Sequence, residues 1–185
     1  HKGRKLTDDA AVMEANSHVV HVVQGDVANS KITHASDVER FKQQVELAME
    51  IRTGMGFDVH ALEPHSADTP ASQQVIKLCG IKIPYAYYLK GHSDADVALH
   101  AMVDAMLGAI SAGDIGMHFP PDDQKWKGAD SERFLMHAYE LIRKRGGELM
   151  HVDMTIIAEQ PKISPHREAM ISHLSKLLKL DSDRI

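Results

Sequence analysis

Residues 94–112 constrain this chain more than any other stretch. They hold no proline and one glycine, Gly108, and small or aliphatic side chains fill most positions, which predicts a long helix. Its apolar residues run nearly all the way round, as expected of a helix enclosed by other elements. Asp96, His100 and Asp104 break that pattern at spacing i, i+4, i+8 and therefore share one stripe. Ionisable groups are costly to bury unless they are paired or hold a metal, so the stripe requires partners from elsewhere. Ser93 or Asp94 can cap the start of this helix, and Gly113 can stop it.

The best source of partners is residues 51–61, which read as a strand despite Gly54 and Gly56. Asp58 and His60 are two apart, so on a strand they point to the same face. Two imidazoles and a carboxylate with an open position form a donor set used by catalytic zinc. Asp58, His60 and His100 are thus candidate metal ligands, with hydrogen-bonded core histidines as the structural alternative. His92 and Ser93, just before the helix, are a third piece that could converge on the same place.

Around this centre, residues 75–84 predict a hairpin turning at Gly80, and residues 151–158 predict a strand. Asp130-Ser131 offers caps for a helix to about Arg145, closed by Gly146-Gly147. Ser164-Pro165 fits the cap and first position of a last helix to about Leu180. Trp126, between Lys125 and Lys127, is either a base-stacking platform or, better, a loop anchor. Residues 1–49 supply a short strand near 19–23 and a helix starting at Ser36-Asp37, a poor core by themselves.

Composition narrows the partners. A net charge of −5 offers no basic surface for nucleic acid or anionic membrane. A single cysteine, Cys79, excludes an internal disulfide and fits a reducing, cytoplasmic setting. No apolar run is long enough to span a bilayer as a helix.

Several segments, taken in order, resemble 2-C-methyl-D-erythritol 2,4-cyclodiphosphate synthases. They are Gly54-Met55-Gly56-Phe57-Asp58-Val59-His60, the run Gly91-His92-Ser93-Asp94-Ala95-Asp96 on to His100, and Gly113-Asp114-Ile115-Gly116. Phe119-Pro120-Pro121, Lys127-Gly128-Ala129-Asp130-Ser131, and Val152 to Ala158 leading to Pro161-Lys162 extend the match through nearly all of 51–185. The resemblance implies an α+β domain, a mixed sheet with helices on one face, assembling as a homotrimer. It implies conversion of 4-diphosphocytidyl-2-C-methyl-D-erythritol 2-phosphate to the cyclic diphosphate with release of CMP, a step of non-mevalonate isoprenoid synthesis. A zinc-like ion at Asp58, His60 and His100 and Mg²⁺ or Mn²⁺ on the substrate diphosphate are implied with it.

The same resemblance assigns His92 and Ser93 to a phosphate-contacting flap, with His92 stabilising the transition state. Asp58, Val59 and His60, then Asp114, Ile115 and Gly116, then Phe119 and Asp123, become substrate contacts. Ala158, Pro161, Lys162, Ile163 and Ser164 become the cytidine pocket. Asp104 supports the site or is structural; Asp96 is left without a role. The family's further strand, with a Thr-Thr-Glu segment on the nucleotide phosphates, has no counterpart here.

Residues 7–47 resemble the C-terminal end of the 2-C-methyl-D-erythritol 4-phosphate cytidylyltransferases. Thr7-Asp8-Asp9-Ala10 and Gly25-Asp26-Val27-Ala28-Asn29-Ser30-Lys31-Ile32-Thr33 carry that likeness, with Lys31 matching a lysine that positions the methylerythritol phosphate. The expected organisation is a cytidylyltransferase remnant and linker over 1–49 and a synthase domain over 50–185, both ends incomplete, from a bifunctional parent. A zinc-dependent phosphohydrolase and a histidine-rich metal-binding module are the rival readings.

Overall fold

The computed structural model describes residues 9–21, 23–25 and 31–185. The chain divides into two compact units, His1–Glu50 and Ile51–Ile185. In the first, α1 (Asp9–Ala15) and α2 (Ala35–Ala48) are the described elements. Asp37 anchors the start of α2 by accepting from the backbone N–H groups of Thr33 (3.0 Å) and His34 (2.9 Å), as an acidic residue in a first turn does. The strand expected near 19–23 is not formed by its described residues, and Val22 lies outside them. Thr7, Asp8 and residues 26–30 of the cytidylyltransferase-like segment also lie outside the described residues.

The second unit is α+β. Its strands are β1 (Leu62–Pro64), β2 (Val75–Leu78), β3 (Ile81–Pro84) and β4 (Tyr87–Leu89). Antiparallel pairs β1–β4 and β2–β3 make two small sheets. The helices are α3 (Val97–Ala109), α4 (Ile115–His118), α5 (Ser131–Lys144) and α6 (Arg167–Leu178).

The core forms where α3 meets α5, with α6 and the β2–β3 hairpin closing its sides. Leu99, Val103 and Leu107 of α3 and Leu135 and Ala138 of α5 are fully buried. The helix expected over 94–112 is thus present but shorter, and its cap is Asp96 rather than Ser93 or Asp94. Ala95, at φ 57, turns the chain just before it, and the Asp94 side chain is bonded to Lys77 and Ser131 instead.

Residues 51–61 and 151–158, expected as strands, are extended at 51–60 and 151–158 but join no ladder. Burial still alternates along them: Gly56, Asp58 and His60 turn inward, while Phe57 and Val59 are 79% and 76% exposed. Val152, Met154 and Ile156 likewise pack on the core, and Ile157 points out. The glycines of the first segment have a physical reason. A Cβ on Gly54 or Gly56 would fall 1.8 Å from the carbonyl oxygen of Ala105 or Ala101, so this backbone lies directly on α3.

Candidate active site

Two elements deliver the three central side chains: the extended segment brings Asp58 and His60, and the first turn of α3 brings His100. One ligand atom from each lies within 4.8 Å of the others. Asp58 Oδ2 is 2.9 Å from His60 Nε2 and 3.1 Å from His100 Nδ1, and those two nitrogens are 3.2 Å apart. A tetrahedral ion with bonds of about 2.0 Å has ligand–ligand edges of about 3.3 Å, so the triangle already has the span of a zinc-class coordination face.

Hydrogen bonding prepares these atoms. His60 Nδ1 lies 2.7 Å from the carbonyl oxygen of Lys90. A carbonyl only accepts, so Nδ1 carries the proton and a neutral His60 turns a bare Nε2 to the cluster. Asp58 is held by the Val59 N–H, which donates to its Oδ1 at 2.8 Å. Burial pushes the Asp58 carboxyl up; when protons rather than a metal occupy the two imidazoles, the His100 hydrogen bond and the charges of His60 and His100 outweigh burial and hold the group below the ordinary carboxylate range. A carboxylate and a bare imidazole nitrogen converging at this distance call for a cation among them, and the donor set fits one.

The polar stripe of α3 proves to have three separate partners. His100 joins the cluster. Asp96, wholly buried, accepts from Leu99 N–H (3.1 Å) as the helix cap and from Cys79 (3.0 Å) and Gly80 (2.7 Å) in the β2–β3 turn. Cys79 and Gly80 both have positive φ, 51 and 78, the pairing of a tight hairpin turn that Asp96 fastens to α3. Burial raises the Asp96 carboxyl against the pull of these three donors. Because its carboxylate occupies the helix N-terminus, that end is not open to a phosphate. Asp104 accepts from Ile115 N–H at 2.7 Å and so pins the loop-to-α4 junction that carries Asp114 to Gly116.

Other expected site residues fall into two groups. His92 and Gly116 are exposed, and Ser93 is half-buried with its Oγ 3.0 Å from His100 Nε2. Asp114 is exposed and caps α4 through Met117 N–H (2.8 Å). Phe119, by contrast, is packed against Phe134 and Trp126 with ring centres 4.3 and 4.9 Å away, making Trp126 a loop anchor. Asp123 caps the short turn Gln124–Trp126 and pairs with Lys125 at 3.0 Å. Pro161 is buried, Ile163 half-buried, and Ala158, Lys162 and Ser164 exposed. The cluster's own side-chain hydrogen bonds run to Val59, Lys90, Ser93 and Ser131, and residues 158–164 are not among them.

Sequence reasoning missed Lys77 and understood Asp94 and Ser131 only as caps. Lys77 Nζ lies 2.7 Å from Asp94 and 2.9 Å from Asp130. Burial lowers its pKa, but these carboxylates outweigh that and raise it well above the usual lysine value. A lysine on the alternating hairpin strand β2 was the available signal. Its partners are 17 and 53 residues away, beyond the reach of any local pattern.

Comparison with known proteins places this geometry in context. Residues 51–185 match the model of the YgbB family. A protein of Paramagnetospirillum magneticum named bifunctional enzyme IspD/IspF is 47% identical over 183 residues, covering 99% of this chain and 46% of its own length. The chain therefore spans about half the length of that relative. A solved 2C-methyl-D-erythritol-2,4-cyclodiphosphate synthase in a CDP-bound form is 40% identical with a TM-score of 0.65, over 72% of this chain and 84% of its own. The bifunctional IspDF of Campylobacter jejuni is 33% identical with a TM-score of 0.67, over 100% of this chain and 47% of its own.

Proposed function

The chain belongs to the YgbB family, and on that premise we propose that residues 51–185 form a 2-C-methyl-D-erythritol 2,4-cyclodiphosphate synthase. The reaction is an intramolecular phosphoryl transfer. A 2-phosphate oxygen of 4-diphosphocytidyl-2-C-methyl-D-erythritol 2-phosphate attacks the β-phosphorus, the bond from that phosphorus to the bridging oxygen breaks, and CMP leaves. Both nucleophile and leaving group belong to the substrate, so the protein has to fold it, align it and neutralise charge. The observation that carries this reading is the convergence of Asp58 Oδ2, His60 Nε2 and His100 Nδ1 within 4.8 Å.

Asp58, His60 and His100 would hold a zinc-class ion, which when bound supplies Lewis-acid polarisation of a phosphate oxygen. Mg²⁺ or Mn²⁺ would accompany the substrate diphosphate. His92, exposed beside the cluster-bonded Ser93, contacts phosphate and stabilises developing charge. Asp114, with Ile115 and Gly116, receives the methylerythritol hydroxyls, and Asp104 positions that loop from α3. Residues 158 and 161–164 form the cytidine pocket; the CDP-bound relative supports a cytidine nucleotide as ligand. Phe119 and Asp123 shape the neighbouring loop.

The apolar outward face of residues 51–60, where Ile51, Met55, Phe57 and Val59 are exposed and join no ladder, supports assembly as a homotrimer with sites between subunits. Residues 1–49 are read as the closing part of a cytidylyltransferase-like domain with Lys31 on its substrate side. The bifunctional relatives, aligned along nearly the whole chain, support that reading. The lone, buried Cys79 fits a reducing cytoplasm, and no helix among the described residues is long and apolar enough to cross a membrane.

The test supplies the cytidine diphosphate substrate with Mg²⁺ or Mn²⁺ and follows ³¹P resonances together with CMP. The cyclic diphosphate and CMP should appear in equal amounts. Inorganic phosphate without a cyclic product would instead identify a phosphohydrolase, and bound metal without turnover a metal-binding module.

A further inference from the structure

We propose that Ser131, held by Asp94 and Lys77, is a positioning residue that sets the proton on His100 and so turns a bare Nδ1 toward the cluster. The assignment rests on the metal-site reading above. It concerns a chain of bonds drawn from four parts of the fold: β2 (Lys77), the loop before α3 (Asp94), the first residue of α5 (Ser131) and α3 itself (His100).

Hydrogen-bond bookkeeping carries the argument. The Asp94 carboxylate can only accept. Its Oδ1 takes the Ser131 N–H at 3.1 Å and the Ser131 hydroxyl in a short bond, while its Oδ2 is held by Lys77 Nζ at 2.7 Å. Ser131 has one hydroxyl proton, and that proton is given to Asp94. What Ser131 Oγ presents to His100 Nε2, 2.9 Å away, is therefore a lone pair, and Nε2 must be the donor. A neutral imidazole carries one proton, so Nδ1 is left bare, 3.1 Å from Asp58 Oδ2 and 3.2 Å from His60 Nε2.

Ser93 cannot do this by itself. Its Oγ lies 3.0 Å from His100 Nε2 and accepts from Ala95 N–H at 3.1 Å, but its own hydroxyl proton is not committed to a carboxylate. It can donate to the imidazole as readily as accept. Ser131 is different because Asp94 consumes its only proton. It is also fully buried, so water cannot take its place at no cost. The two histidines thus present opposite nitrogens, His60 through a main-chain acceptor and His100 through Ser131. Partners of this kind raise ligand basicity and fix ring orientation, and losing one typically weakens metal affinity ~10–100-fold.

The experiment titrates the wild-type protein and Ser131→Ala with Zn²⁺ against a chromophoric chelator. In parallel, long-range ¹H–¹⁵N correlation of the metal-free wild type, above the imidazole titration range, reads the His100 tautomer. Expected are an Nε2–H tautomer in the wild type and Zn²⁺ binding ~10–100-fold weaker in Ser131→Ala, with circular dichroism unchanged. Equal affinity of the two proteins, or an Nδ1–H tautomer, overturns the proposal. The tautomer measurement decides even if Ser131→Ala does not fold. A wild type that takes up no Zn²⁺ sinks the metal reading itself and this assignment with it.

Discussion

Two aspartates lie beside the first turns of α3, and their surroundings treat them in opposite ways. Asp96 meets three backbone N–H donors, which satisfy its carboxylate within the fold. Asp58 instead faces two imidazole nitrogens, one of which is bare by its own bonding and the other by the proposed Ser131 relay. Burial alone does not separate the two roles, since both sites are drawn into the protein. The balance of donors and acceptors does. A buried carboxylate matched by donors is architecture, whereas converging acceptors require something the chain does not supply.

The sharpest way to break this contrast is His100→Ala. It should weaken Zn²⁺ binding by more than about 100-fold, exceeding the loss of a supporting partner, and abolish cyclic diphosphate formation. Its metal-free stability should change by only about 1 kcal/mol, because the substitution also removes one of the converging acceptors. Retained stoichiometric zinc in the variant would remove His100 from the ligand set.

Asp96→Ala should do the reverse. Three buried N–H groups lose their acceptor and α3 loses its cap, costing about 3–5 kcal/mol by chemical denaturation. Zinc affinity measured where the variant is folded should match the wild type. A marked loss of affinity without a loss of stability would show that the two aspartates belong to one functional unit.

Gly56→Ala probes the support beneath the cluster. The new methyl meets the Ala101 carbonyl, forcing the segment off α3, at about 1–3 kcal/mol. Because Asp58 and His60 ride on that segment, zinc affinity should fall along with stability, unlike in either preceding variant. The smallest effect is acid sensitivity of the metal-free protein. The folded Asp58 pKa lies below its ordinary 3.8. Its contribution is therefore fully present above that value and disappears as pH falls through the lower folded value. Asp58→Asn should flatten this part of the stability–pH curve, and an unchanged curve would show that other carboxylates govern it.

Much of this arrangement was legible in the residues. The apolar run of α3, the β2–β3 hairpin with its turn at Cys79-Gly80, the Asp130 cap of α5 and the Asp58-x-His60 pair all follow from local periodicity and turn chemistry. The outer faces of 51–60 and 151–158 were harder to read. Their alternation is real, yet a ladder depends on a neighbouring backbone that local sequence does not specify. Asp96 is the instructive case. Spacing assigned it to a stripe with His100 and Asp104, but a residue at a helix cap has left the helical path, and its side chain turned to the hairpin instead.

The sequence by itself determined which chemistry was available: two histidines and an aspartate with ligand character, a helix able to bury them, and glycines that let an extended backbone lie on that helix. Tertiary structure decided which atom of each group is used. The proton positions on His60 and His100 depend on acceptors at Lys90 and Ser131, each about thirty residues away along the chain. A hydrogen-bond partner is chosen by where two distant segments pack, and no periodicity within either segment encodes that distance.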